Sequence, residues 1–231
     1  MTILAVTGLK REAEIAGGPG VVAVAGGGDA GSLAAKLDAL HGDINGVISF
    51  GLAGGLSPLL KVGDVVVGES VQIVHAHLGA RFGKGADTIP CDERWRIALT
   101  AKLNGAFQGP VAASDTILED AEAKAVLFAA TGALAVDMES AAAARFAAGR
   151  KLPFAVLRVI SDDASHVLPA AALVAMKPDG GIALGRVLGS LLANPLQIPA
   201  LIRTARTSGR AFKQLLRCRS LCGVGLAGLD L

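Results

Sequence analysis

Chemistry in this chain is concentrated where apolar runs end in acidic residues or glycines. Pro153 to Ile160 runs into Ser161-Asp162-Asp163, Leu134-Ala135-Val136 into Asp137-Met138-Glu139, Gly46 to Phe50 into a glycine-rich stretch ending at Gly55, and Gly20 to Ala25 into Gly26-Gly27-Gly28. Glu12 adds a carboxylate shortly after the first apolar run, Ile3 to Thr7. A carboxyl group at the end of a buried strand, the position of Asp162, donates a proton near neutral pH when burial or a neighbouring carboxylate keeps it protonated. A carboxylate such as Glu139 accepts two hydrogen bonds and becomes more favourable beside a developing cation. Water is a poor nucleophile and needs a base, for which a glutamate serves. Backbone N–H groups in a glycine turn can face an anion or a polar ligand. Asp163 has the ordinary reading of a residue that caps the following turn.

These segments need a scaffold that brings strand ends together. Strand-like and helix-like stretches alternate from the start: Ile3 to Thr7, then helical Lys10 to Ala16, strand Gly20 to Ala25, helix Ala30 to Leu40 and strand Gly46 to Phe50. Asp64 to Gly68 and Val71 to His77 read as two β-rich segments, followed by helix Asp92 to Asn104, strand Gly109 to Ala113, helix Asp120 to Thr131 and strand Leu134 to Val136. Helix Met138 to Arg150 then leads to Pro153 to Ile160, a continuous apolar strand of the kind buried on both faces. The pattern predicts an α/β fold, a single-domain three-layer sandwich with a central mixed β-sheet flanked by helices. In such sheets functional residues sit just past the carboxyl ends of strands.

Composition narrows the class. A chain of 231 residues without a linker-like stretch fits one domain. Aromatics make up 3% and tyrosine is absent, so the core must be aliphatic. Despite a positive mean hydropathy, every long apolar stretch is broken by a charge, a glycine pair or a proline, so no transmembrane helix is expected. Met1 to Lys10 reads as a first strand rather than a leader, which predicts a cytoplasmic protein. Cys91, Cys218 and Cys222 have unrelated spacings and no nearby histidines, so free thiols and no metal are expected. A net charge of +2 gives no reason to expect nucleic acid as a partner.

Gly26, Gly28 and Gly31 form a literal G-x-G-x-x-G between a strand and a helix. A dinucleotide site also needs an acid at the tip of the next strand, where this chain has Phe50-Gly51-Leu52-Ala53-Gly54-Gly55. The dehydrogenase reading is therefore set aside.

Ile48 to Val67, ISFGLAGGLSPLLKVGDVVV, resembles the sheet-centre motif of the purine nucleoside phosphorylase and methylthioadenosine/adenosylhomocysteine nucleosidase superfamily. Val136-Asp137-Met138-Glu139-Ser140 resembles its ribose-binding V-E-M-E-A segment, Arg158 to Asp162 its R-x-I-S-D segment, and Gly8 to Glu12 its opening loop with a glutamate. These motifs fall in the family's order over most of residues 1 to 165. Met176 to Gly181, MKPDGG, and the basic tail are most similar to the hopanoid-associated phosphorylases. The resemblance implies a phosphorylase-like catalytic domain over residues 1–200, a tail over 201–231, and cleavage of the N-glycosidic bond of a 5′-substituted adenosine with release of adenine. By this resemblance Asp162 protonates the purine at N7, Glu12 positions the attacking water and Glu139 binds the ribose hydroxyls. Met138 would pack on the sugar face, and Ser161, Ile117, Gly51 and Gly27 complete the substrate-binding set. No cofactor is implied, although phosphate can be a co-substrate, and a homodimer is expected because family sites are often completed across one.

The chain departs from the family at the nucleophile. Where phosphorolytic relatives place an arginine and a serine on phosphate, this chain has Ser49 and Leu52, and its glycine loop holds Asp29 rather than an arginine. Water with Glu12 is favoured, with backbone N–H groups at Gly26 to Gly28 left as a cradle for phosphate. The stacking phenylalanine of the nucleosidases is absent from Ser114-Asp115-Thr116-Ile117, which leaves Ile117 as the aliphatic contact for the base.

Between Leu201 and Ser220 there are six basic residues and no acidic one. Arg203, Arg206, Arg210, Lys213 and Arg217 share one helical stripe, and Leu201, Ala205, Phe212, Leu215 and Leu216 another. This is either a core-packed helix with a solvated basic face or a peripheral anchor on anionic lipid. The anchor would suit a lipid-linked nucleoside, adenosylhopane in hopanoid biosynthesis. The alternatives are a methylthioadenosine/adenosylhomocysteine nucleosidase and a non-catalytic nucleoside-binding protein. His75 to Trp95 is where the 5′ pocket is expected.

Overall fold

The computed structural model describes residues 1–74, 87–167, 169, 180–181 and 183–228. The apolar runs become strands β1 (Ile3–Thr7), β2 (Val21–Ala25), β3 (Gly46–Gly55), β4 (Val65–Val74), β5 (Thr88–Pro90), β6 (Phe107–Ser114), β7 (Ala135–Asp137) and β8 (Phe154–Asp162). Between and after them lie helices α1 (Lys10–Ala16), α2 (Ala30–Asp38), α3 (Glu93–Lys102), α4 (Ala121–Thr131), α5 (Ser140–Gly149), α6 (Leu184–Ala193) and α7 (Ile198–Cys222). Aspartates start three of the helices: Asp29 accepts from Gly31 and Ser32, Asp92 from Trp95, and Asp120 from Ala123, satisfying N–H groups that have no partner within the helix.

β3 is the hub of the mixed sheet. It pairs in parallel with β1 through Gly46 to Ser49 and with β8 from Val47 to Gly54, then meets β7 antiparallel at Gly54 and Gly55. β8 also pairs antiparallel with β4, β4 in parallel with β6, and β6 in parallel with β7. The pairings β3–β8–β4–β6–β7–β3 close on themselves, while β1 and β2 run on from β3, and β5 from β4. The sheet is therefore curled, and the last residues of β3, β7 and β8 converge. Alternating side chains feed separate cores: Ile3 and Ala5 pack with Trp95, Leu99 and Leu215, while Leu4 and Val6 pack with Leu33, Leu37 and Phe146, and a third cluster gathers Leu56, Val74, Leu118 and Leu127.

Phe50 to Gly55, expected just past the end of a strand, is the second half of β3. Paired neighbours hold this stretch extended, and the glycines let buried side chains approach it. Asp64 to Gly68 and Val71 to His77, expected as two segments, are one strand through Val74 with a register shift between Gly68 and Val71, while residues 75–77 lie outside the described residues.

The expected boundary at residue 200 falls inside α7, whose Ala211, Phe212, Leu215, Cys218 and Cys222 are buried in the core. Arg203, Arg206, Arg210, Lys213 and Arg217 are exposed as expected, but so are Ala205 and Leu216, which sit off the narrow buried stripe. Arg219 fastens the helix to α1 by donating from Nε to the carbonyl of Ala16 at 2.8 Å. All three cysteines are free, and burial pushes the Cys91 and Cys218 thiols up to about 12 and Cys222 up to about 11. Among the described residues no helix is long and apolar enough to cross a membrane.

Trp95 is fully buried and donates from Nε1 to the carbonyl of Leu226 at 2.9 Å. Gly228 packs so closely on the indole that a Cβ there would lie 2.5 Å from it. Trp95→Phe strands that buried carbonyl and is expected to cost about 1–3 kcal/mol, with Trp95→Ala nearer 3–5 kcal/mol. Urea unfolding measures both, and a parental midpoint for either variant would contradict this account of the chain's last residues.

Candidate active site

A cavity of about 270 Å³ opens where β3, β7 and β8 end, walled by the loops after β1 and β6 and by α4 and α7. Six of the eight expected site residues line it: Glu12, Ile117, Met138, Glu139, Ser161 and Asp162. Gly27 and Gly51 stand behind the wall. A Cβ at Gly51 would fall 2.8 Å from Arg158 Nη1 and 2.9 Å from Glu12 Cδ, so only glycine lets these two side chains close over β3. Gly27 adopts φ +78° and donates its N–H to Gly8, while Gly26 donates to Thr7. Two of the three backbone donors expected to cradle phosphate are thus used in closing the turn.

Glu12 is buried at the start of α1, where it accepts from Gly8 and Leu9 at Oε2 and from Leu52 at Oε1, with distances of 2.7 to 2.8 Å. Burial is the largest influence on its carboxyl and raises its pKa, against the lowering effect of those bonds and of Arg158. Oε1 accepts only the one bond among the described residues and keeps acceptor capacity.

Glu139 is buried, and the backbone N–H of Met138 is the one hydrogen-bond influence on its carboxyl among the described residues. It sits against Gly8, where a Cβ would lie 2.9 Å from Oε1. Burial pushes its pKa up to about 8, with Asp137 and Glu12 adding to the rise and Arg158 opposing it. Asp137 is differently placed: its Oδ1 accepts from Glu139 N and Ser140 N, capping α5, and its Oδ2 lies 2.8 Å from Arg158 Nε.

Arg158 is fully buried, and its guanidinium also bonds Ser49 Oγ, Ser140 Oγ and the carbonyl of Leu52. Ser49 is therefore committed to the interior rather than to a ligand. The sequence motifs contained Asp137 and Arg158 but did not reveal that they form the buried pair on which the other carboxylates rest.

Asp162 accepts from Ser161 Oγ at Oδ1, 2.6 Å away, and from Lys124 Nζ at Oδ2, 2.5 Å away. Gly54 permits the close approach, since a Cβ there would sit 3.2 Å from Oδ2. The expected neighbouring carboxylate is turned away: Asp163 accepts from Ser165 N and Oγ, and these bonds hold its carboxyl below the usual range. The cap reading of Asp163 is thereby the correct one, and the neighbour of Asp162 is an ammonium. Lys124 was missed because a lysine in an alanine-rich helix reads as solvated. The available signal was its place near the amino end of α4, where a cation opposes the helix dipole.

Ile117 lines the cavity between Thr116 and Leu118 as expected. An aromatic that the sequence reading assigned only to the tail's apolar stripe, Phe212, lines it too, with Ser208 and Thr204 one and two turns earlier on α7. Arg11 stacks 4.4 Å from the Phe212 ring. Of His75 to Trp95, residues 75–86 lie outside the described residues, and Trp95 belongs to the core. Of Met176 to Gly181, residues 176–179 are likewise outside, while Gly180, at φ +79°, accepts from Lys10 N beside the Gly8 loop.

The family model described as the phosphorylase superfamily matches residues 8–192. The chain is similar to a 5′-methylthioadenosine/S-adenosylhomocysteine nucleosidase from Neisseria meningitidis in complex with methylthio-immucillin-A, at 19% identity and TM-score 0.67 over 100% of this chain and 99% of that one. A Helicobacter pylori relative with 5′-methylthioadenosine in its active site matches at 16% identity and TM-score 0.65, covering 95% and 98% of the two chains. An S-adenosylhomocysteine nucleosidase from Streptococcus pyogenes matches at 19% identity and TM-score 0.65, covering 94% and 95%. At these identities the likeness is one of fold.

The raised pKa of Glu139 has a consequence for stability. A carboxyl that holds its proton to about pH 8 when folded, against an ordinary value of 4.5, binds more protons folded than unfolded across that interval. Stability from this group is present below the lower value and lost as pH rises through the upper one. Chemical denaturation at about pH 5 and about pH 8.5 is expected to show the parent losing stability with pH more steeply than Glu139→Gln. Equal slopes would mean that Glu139 is not buried in this way.

Proposed function

The chain belongs to the phosphorylase superfamily, whose members cleave nucleosides, and we propose that it hydrolyses the N-glycosidic bond of a 5′-substituted adenosine, a small 5′-thioadenosine, releasing adenine. The observation that carries this reading is the division of labour among the cavity's carboxylates. Asp162 is paired to Lys124 and Ser161 at one end, Glu139 has no side-chain partner among the described residues, and Glu12 is buried against the Gly8 loop. Cleavage develops positive charge on the sugar and negative charge on the departing base, so the site needs an acceptor facing the ribose and a proton delivered to the purine.

In this reading Glu139 accepts from a ribose hydroxyl, a capacity a carboxyl keeps while it holds its proton, with Met138 against the sugar face. Asp162 hands a proton to the purine, which lies between Ile117 and Phe212. Glu12 takes the proton of the attacking water, a task its raised pKa suits. Water is favoured over phosphate because Ser49 is bonded to Arg158 and Ser140, Leu52 lines the cavity, Gly26 and Gly27 spend their N–H groups in the turn, and Arg158 is neutralised by Asp137. The small 5′ substituent is supported by the similar structures, which are those of methylthioadenosine and adenosylhomocysteine nucleosidases.

Purified protein given methylthioadenosine, with and without phosphate, is expected to release adenine and a free sugar. A sugar phosphate identified by mass spectrometry would overturn the choice of water. Asp162→Asn is expected to lower kcat by roughly 10²–10⁴-fold, with binding of the nucleoside largely kept. Binding without any turnover by the parent would make this a nucleoside-binding protein.

A second reading, a lipid-linked adenosine such as adenosylhopane, is favoured by the corner between α6 and α7. Leu188, Leu192, Leu196, Ile198 and Ile202 are 44% to 88% exposed there, beside exposed Arg203, Arg206 and Arg210. The same helix gives Thr204, Ser208 and Phe212 to the cavity, so an interfacial helix would deliver an amphiphile to the site. Flotation with vesicles containing anionic lipid is expected to carry the parent upward and to leave behind a Leu192→Glu, Leu196→Glu variant. Failure of the parent to float leaves the soluble thioadenosine reading alone.

A further inference from the structure

Lys124 has no place in the roles described so far. It is 1% exposed, and its Nζ donates to Asp162 Oδ2 at 2.5 Å, to the carbonyl of Asp163 at 2.9 Å and to the carbonyl of His166 at 3.3 Å. Three N–H donors meet three acceptors, the full complement of an ammonium. Asp162 is bonded in the complementary manner, since Oδ1 accepts from Ser161 while Oδ2 accepts from Lys124. Acceptance at both oxygens is the pattern of a carboxylate, which has no proton to give to a departing base.

The proton must therefore arrive from a group bonded to Asp162. Ser161 has a single hydroxyl proton, with the carbonyl of Ala53 at 3.2 Å as well as Asp162 Oδ1 within its reach, whereas Lys124 carries three N–H protons and directs one at Oδ2. The other neighbours do not compete: the carboxylate of Asp163 is turned to Ser165, and the ring of His166, whose pKa burial lowers, lies 3.2 Å from Thr204. Fold stability does not explain the lysine either, because a buried ion pair is often replaceable by apolar residues without loss.

We propose that Lys124 is a positioning residue that holds Asp162 and supplies, through it, the proton that leaves with the purine. This rests on the reading of the cavity as a nucleoside-cleaving site. As the bond from C1′ to N9 breaks, its electrons pass to the base. An N–H bond forms at N7 as one proton passes from the Lys124 ammonium to Asp162 Oδ2 and from Asp162 on to the base, which leaves Asp162 a carboxylate again and Lys124 a neutral amine. Water adds to C1′ and its proton goes to Glu12; once the products leave, Glu12 passes that proton to solvent and the neutral amine takes one up from solvent, so one water is consumed and no other reactant is needed.

The test compares two substrates in the parent and in Lys124→Met: methylthioadenosine, whose base needs a proton to depart, and a 4-nitrophenyl 5-methylthioriboside, whose leaving group departs as a stable anion. Lys124→Met is expected to lose about 10²-fold or more in kcat on methylthioadenosine, with KM little changed, and to stay within a few-fold of the parent on the nitrophenyl riboside. Equal losses on both substrates would make the lysine a purely structural support, and undiminished turnover of both would remove it from the reaction, so either result overturns the proposal. If thermal unfolding shows Lys124→Met to be unfolded, Lys124→Arg carries the same comparison, because it keeps the charge and the donors without giving up a proton. A parent that cleaves neither substrate removes the nucleosidase reading itself, and this proposal with it.

Discussion

Arg158 is a guanidinium without solvent exposure, placed on β8 within a closed set of pairings, ion-paired through Nε with Asp137 and hydrogen-bonded to Ser49, Ser140 and a strand carbonyl. A charge in that position is tolerated because Asp137 opposes it, and removing one partner of such a pair costs about 3–5 kcal/mol. The carboxylates of the cavity are arranged around this cation. It lowers the cost of burying Glu12 and Glu139 together, while Asp137, its ion-pair partner, caps α5 beside Glu139. Fold and site are joined at this point: β8 supplies the arginine, β7 its aspartate, β3 and α5 its serines.

Glycine placement is the second constraint. Gly51 and Gly54 lie in the middle of a paired strand, where a residue without a side chain weakens packing. They are there because Arg158, Glu12 and Asp162 pass within a Cβ's reach of that strand. The curled sheet brings polar groups together, and the missing side chains on β3 make the room for them.

Much of this was legible in the sequence. Strand-like runs ending in acids located Asp162 and Glu139, and the alternation of elements gave the α/β class, because burial on both faces leaves near-continuous apolar strands. The second half of β3 was misread, since a glycine-rich run looks like the end of a strand unless the side chains that crowd it are known. Phe212 was misplaced for a related reason: helical periodicity says that a residue is inward but not whether the interior there is core or cavity. Lys124 and the Arg158 pair depend on contacts between residues 38 and 21 positions apart, which no local pattern encodes.

The last helix has a consequence for how the molecule is made. Arg219 bonds the carbonyl of Ala16 across 203 residues of chain, and Phe212 faces the same cavity as Gly8 and Glu12. Contacts this distant in sequence cannot form until almost the whole described chain has left the ribosome, and closing so long a loop is slow. During synthesis the face of the sheet that α7 covers is bare and the cavity lacks a wall. A nascent chain is thus without a finished pocket until its end emerges, and a message cut short within α7 yields an incomplete protein with an exposed apolar sheet, a ready target for chaperones and proteases.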